Sequence, residues 1–103
     1  MYKRQDSHRA IAPFLSDQDL MVRYEAAAAL LQIGDWSSVP TLIEFLGNDD
    51  RRIRYKSFQI LREKTRLDFG YDFNAAPPDR EEALGRWKNW WQDRRREIIL
   101  GRN

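Results

Sequence analysis

A chain of 103 residues with 42% hydrophobic and 33% charged residues is one domain's worth of globular protein, with room for one modest core. It has no Cys and a single His, at position 8, which excludes disulfide frameworks, thiolate metal sites, Cys nucleophiles and a His-built metal cage within one chain. Its 18 Lys+Arg against 16 Asp+Glu give a formal +2, a balance that permits acidic partners without demanding them.

The opening Met-Tyr-Lys-Arg-Gln-Asp-Ser-His lacks the apolar stretch of a signal peptide. The longest apolar run, Ala26 to Leu31, is about a third of the roughly 20 residues that span a bilayer. A cytoplasmic protein with no membrane partner is therefore expected. A first helix is expected from about Asp6 to Leu15, with Pro13 as an irregularity near its end.

Asp19 then precedes Leu-Met-Val-Arg-Tyr-Glu as a natural N-cap, its carboxylate accepting from the free amides of the first turn. Apolar residues at 22, 26, 29, 30 and 33 follow the 3.6-residue period, and Gly34 supplies a stop. Asp35 is placed to cap a third helix over Trp36 to Leu46, with Pro40 near its first turn and Gly47 ending it. Asp50 repeats the capping role before Arg-Arg-Ile-Arg.

These elements repeat. Phe14-Leu15 recurs as Phe45-Leu46, and at the same offset of 31 residues Asp19 falls on Asp50, Arg23-Tyr24 on Arg54-Tyr55 and Leu30 on Leu61. Conservative matches keep the register: Ile11 with Leu42, Asp17 with Asn48, Val22 with Ile53. A period of this length marks stacked helix pairs, and it predicts a first pair over about 6–34 and a second over about 35–65.

The pattern changes after Lys64. Residues 66–78 read as a loop from their Gly, Asn and paired Pro, yet they carry Phe69, Tyr71 and Phe73. A loop this apolar is expected to fold back onto the body. Asp79 with Glu82 has capping-box spacing and opens a last helix over 79–99. Ala83, Leu84, Trp87, Trp90 and Trp91 form one stripe on it, which predicts a cap over the end of the core. Arg94-Arg95-Arg96 suits the negative end of the helix dipole.

The stretch Asp-Leu-Met-Val-Arg-Tyr-Glu-Ala-Ala-Ala-Ala-Leu-Leu-Gln-Ile-Gly-Asp, followed by Ser-Val-Pro-Thr-Leu-Ile-Glu-Phe-Leu, resembles the short bacterial HEAT repeat, often called phycobilisome-lyase-like. Residues 11 to 64 carry the resemblance. The second unit departs at Thr65-Arg66, where Ile-Gly-Asp would stand, as at the end of an array. The ending, with Phe69, Tyr71, Phe73, Arg80 and the Trp stripe, looks like a block that follows such repeats in bacterial proteins. The fold implied is all-α: a short α-solenoid of two HEAT-like helix pairs, an aromatic loop and a C-terminal capping helix. The resemblance also implies that Asp19 with Arg23 and Asp50 with Arg54 form a ladder between repeats, a structural role, as is that of Trp87, Trp90 and Trp91.

HEAT arrays line their concave side with second helices, so the resemblance turns attention to the face opposite the core positions. Leu20, Tyr24, Ala28 and Leu31 lie there in the first unit, and Arg51, Tyr55, Gln59 and Arg62 in the second. Tyr24 and Tyr55 would stand side by side, and Tyr and Arg are common interface anchors. The alternative is that the loop aromatics cover this face. Residues 51–66 hold seven basic residues and one acid, Glu63, so Arg52 and Lys56 join the candidates and phosphate backbones become possible partners.

No catalytic constellation appears. His8 has no evident partner carboxylate, and Asp68, Asp72, Asn74 and Asp79 lack calcium-loop spacing. No cofactor and no enzymatic activity are expected. The first reading is a scaffold or interaction module binding another protein through its concave face. Alternatives are nucleic-acid binding through the basic helix, and an accessory lyase-type HEAT protein. Two units are fewer than the three or so such arrays need, so self-association through an uncapped N-terminal end is also expected to be open.

Overall fold

A computed structural model describes the backbone of residues 2–99 and the side chains of residues 6–98. Five α-helices and no strands occur among the described residues: α1 (Tyr2–Ile11), α2 (Leu20–Gln32), α3 (Val39–Phe45), α4 (Arg51–Thr65) and α5 (Pro77–Ile99). α1 and α2 make one pair and α3 and α4 the next; α2 also packs on α3 and α4, and α3 on α5. The result is a slab of 42 × 33 × 19 Å, a small all-α solenoid of two repeats closed at one end by α5.

Local chemistry sets the helix boundaries. Pro13 converts the end of the first helix into a 3-10 turn over Ala12–Ser16, because its ring removes a donor that an α-helix would use. The Asp19 carboxylate accepts from Met21 N at 2.8 Å, and Asp50 accepts from Arg52 N at 2.9 Å. Asp35 accepts from Ser37 N at 3.0 Å and starts a 3-10 turn, Trp36–Ser38, that leads into α3. Gly34 adopts φ 84°, the left-handed conformation that lets the chain leave α2 sharply.

The last helix begins two residues earlier than the capping-box spacing predicts. Pro77 and Pro78 occupy its first two positions, where a missing N–H costs nothing and a fixed φ helps. Asp79 therefore lies inside the first turn, its own amide bonded to Ala76 O at 3.0 Å, and acts on the helix dipole instead of as a cap.

The core runs through Leu30, Leu31, Leu42, Leu46, Ile53, Leu61 and Trp87, all essentially inaccessible to solvent. Along α2 the buried positions are 26, 27, 30 and 31, with Ile33 exposed. The expected stripe through 22, 29 and 33 is thus rotated. Leu31, expected on the partner face, is 1% exposed and belongs to the core. The reason is that α2 packs against elements on several sides, and an Ala/Leu helix that is apolar all round carries no phase of its own.

The aromatic loop is anchored at three points. Tyr71 is buried against Phe58, with ring centroids 5.0 Å apart, and its hydroxyl donates to Leu46 O at 2.7 Å. Phe69 meets Trp87 edge-on at 4.8 Å. Phe73 packs on Tyr55, also at 4.8 Å. α5 approaches the end of α3 so closely that a Cβ on Gly47 would sit 3.2 Å from Leu84 Cδ2.

Candidate interaction surface

The outward face of α2 and α4 begins at a seam that Tyr24 bridges. Its hydroxyl reaches Lys56 O at 3.4 Å, and burial, with Glu25 beside it, pushes that hydroxyl above the ordinary range. Between the two helices runs a groove lined by Tyr24, Gln32, Lys56, Gln59, Arg62 and Arg66, with the acids Glu63 and Asp68 also in its wall. Gln32 and Arg66 escaped the repeat reading: Gln32 lies at the end of α2, and Arg66 stands just beyond α4 with φ 64°. A left-handed non-glycine residue in this position turns the chain back towards the groove.

Tyr24 and Tyr55 meet different partners, Tyr24 the main chain at Lys56 and Tyr55 the aromatic loop. Tyr55 turns away from the seam to Phe73, while accepting a 2.7 Å hydrogen bond from Gln59 Nε2. The loop thus covers one edge of the face and leaves the other open. Tyr55 keeps 42% of its surface exposed even so.

The basic residues divide in the same way. Arg51 lies over the Phe73 ring, 5.3 Å from its centroid, and its Nε donates to Asn74 Oδ1 at 2.6 Å. Arg52 reaches back to Asp50 at 3.4 Å and, through that hydrogen bond, holds the Asp50 carboxyl below the usual carboxylate range. Lys56 and Arg62 are exposed, and no described carboxylate lies within ion-pair distance of either. Leu20 is half-buried and packs against the core.

Arg23 and Arg54 do not form a ladder between repeats among the described residues. Arg23 Nη1 donates to Asp17 O and Gln18 O at 2.6 and 3.3 Å, within its own unit. Arg54, 7% exposed, donates to Asn48 O, Asp49 O and, through Nε, to Phe73 O. Asp19 and Asp50 spend their carboxylates on helix amides, so the arginines turn to main-chain carbonyls.

The loop acids also serve the chain. Asp68 accepts from Gly70 N and Asp72 from Asn74 N, both at 2.8 Å. No group of three or more His, Asp or Glu among the described residues is placed to hold a metal ion. No described helix is long and apolar enough to cross a membrane. His8 does have a carboxylate partner: its Nδ1 donates to Asp35 Oδ2 at 2.6 Å, a pairing 27 residues apart that only the packing of α1 beside the α2–α3 turn creates.

Of the Trp stripe, Trp87 is fully buried, whereas Trp90 and Trp91 are half-buried. Trp87 and Trp90 meet edge-on at 5.7 Å, and Trp90 and Trp91 stand 6.1 Å apart.

A family model described as HEAT repeats matches residues 2–66. No curated protein and no solved structure matches the chain.

Proposed function

The chain belongs to the HEAT-repeat family, and from that premise we propose that it is a non-catalytic binding module whose α2–α4 groove takes a surface of another protein. Such repeats commonly mediate protein–protein interaction or scaffolding, because their stacked pairs leave one continuous face unused in packing. The observation that carries this reading is the groove itself. Tyr24 supplies a rigid aromatic edge, while Lys56, Arg62 and Arg66 supply cations on the same rim. These cations outnumber the acids of the same lining, Glu63 and Asp68, and Asp68 is already engaged by Gly70 N, so the partner that complements the groove is acidic, with the Tyr24 edge as the point of closest packing.

A phosphate backbone is the second reading, favoured by the exposed cations Arg52, Lys56 and Arg62 on one helix. The two separate by salt dependence. A nucleic-acid complex weakens steeply and log-linearly with salt, whereas a protein complex anchored by Tyr24 changes little over moderate salt.

The test is affinity capture with the full chain, followed by titration of the captured partner against a combined Arg52→Glu, Lys56→Glu, Arg62→Glu variant. Loss of binding with an unchanged melting temperature supports the face. Binding retained by that folded variant overturns it.

A further inference from the structure

A second concave surface lies where α1, the α2–α3 turn and the last turns of α5 converge, and it shares no residue with the α2–α4 groove. This cleft encloses about 970 Å³, room for a few side chains of a ligand. We infer that it is a docking site for an acidic peptide segment carrying a large apolar anchor.

The apolar half of the argument is the floor. Trp36 and Trp91 line the cleft and Ile98 borders it with 42% of its surface exposed. Both indoles are held in place from behind, since Trp36 and Trp91 each contact Trp90, at 6.3 and 6.1 Å, and Trp90 contacts the buried Trp87. A floor fixed before binding loses little conformational entropy when an apolar group lands on it. Half-buried indoles beside an exposed isoleucine suit an aliphatic or aromatic side chain.

The charged half is the rim. Arg9 on α1 and Arg95 on α5 have no described carboxylate within ion-pair distance. Arg94 lies over Trp36, 5.5 Å from its ring centroid, with Glu97 4.0 Å from its Nη1. The single acid in the lining, Asp35, is already engaged by His8 Nδ1 at 2.6 Å and Ser37 N at 3.0 Å. Among the described residues two guanidinium groups, Arg9 and Arg95, therefore face the cleft with no carboxylate to neutralise them, and Arg94 adds a third that is paired with Glu97. Guanidinium pairs bidentately with carboxylates, so acidic side chains flanking an apolar anchor complement rim and floor together.

A random peptide library displayed on phage, panned against the full chain, tests the inference. Enriched peptides carry Asp or Glu around a Leu, Phe or Trp. A synthetic copy of one of them, labelled for anisotropy, binds an Arg9→Glu, Arg95→Glu double variant about tenfold more weakly or worse. Both side chains are exposed, so the variant keeps its melting temperature, and Lys56→Glu with Arg62→Glu leaves the peptide affinity unchanged. Absence of enrichment, or enrichment without acidic residues, overturns the inference. So does a peptide affinity indifferent to the double variant. Two further results overturn it in favour of another occupant: oligothymidylate binding more tightly than any peptide through Arg9 and Arg95, or a dimer that the double variant dissociates.

Discussion

Arg54 stands 31 residues after Arg23 and repeats its grip on the chain: each donates Nη1 to the two carbonyls that precede its own helix, Asp17 and Gln18 for one, Asn48 and Asp49 for the other. The unit is the corner between the two helices of a pair, pinned by a cation on the second. Arg54 adds a third bond, to Phe73 O at 3.0 Å, which ties the aromatic loop to the repeats. Truncation of Arg54 leaves three part-buried carbonyls without their donor and releases the loop, so Arg54→Ala is expected to cost about 3 kcal/mol, and Arg23→Ala about 1 kcal/mol. Arg54→Lys recovers only part of the loss, because an ammonium cannot span the same fork. Urea unfolding of the three variants measures the difference; equal losses at 23 and 54 would show that the loop bond contributes nothing.

Trp87 and Trp91 belong to one stripe but differ in burial. Trp87→Ala is expected to cost about 3–5 kcal/mol, the range for large aromatic truncations in cores. Trp91 lines an open cleft, so Trp91→Ala costs less than half of that and leaves the fold intact. Trp87 Nε1 has no protein acceptor among the described residues, so Trp87→Phe is better tolerated than Trp87→Ala. Thermal melts in the order Trp87→Ala lowest, then Trp87→Phe, then Trp91→Ala would bear this out; the reverse order would not.

Burial pushes the Tyr71 hydroxyl up to about 12 from an ordinary value of 10.0, although Arg54 and Arg80 pull it down. In this pH range the unfolded chain gives up its phenolic proton first. The stability linked to Tyr71 is therefore complete below pH 10.0 and declines as pH rises towards about 12. Tyr24, also raised, adds to the same alkaline slope. Tyr71→Phe is expected to lower stability by about 1 kcal/mol at neutral pH, by stranding Leu46 O, and to flatten the slope. Stability curves from pH 8 to 12 on both proteins decide it, and an unchanged slope would rule Tyr71 out as its source.

Arg66 ends α4 in the left-handed conformation, at φ 64°. Glycine adopts that conformation without a steric penalty, so Arg66→Gly is expected to stabilise the chain by up to about 1 kcal/mol. The same change removes a cation from the α2–α4 groove and weakens capture of an acidic partner there. Gain of stability with loss of binding marks Arg66 as strained for function; loss of both means that its side chain holds the helix end.

The repeat, its 31-residue register and the capping aspartates were legible in the amino-acid sequence because they are local. An N-cap such as Asp19 or Asp50 bonds an amide two residues away, and no distant element is needed to form it. Phe14 and Phe45 show where that legibility stops: they match in sequence, yet Phe14 is 50% exposed and Phe45 6%, because α3 packs against α5 and Phe45 lies in the core it shares with Ala83, Leu84 and Trp87. The phase of α2 was hidden for a related reason, since a run of Ala and Leu offers an apolar surface in every direction. Leu31 was consigned to the core, and Ile33 to solvent, by which neighbours arrived. His8 with Asp35, Arg54 with Phe73, and the cleft between Arg9 and Arg95 join positions 19 to 86 residues apart. Contacts at such separations leave no periodic trace in the chain. Short-range hydrogen bonding determined the elements, and only the packing of those elements decided which side chains were left facing a partner.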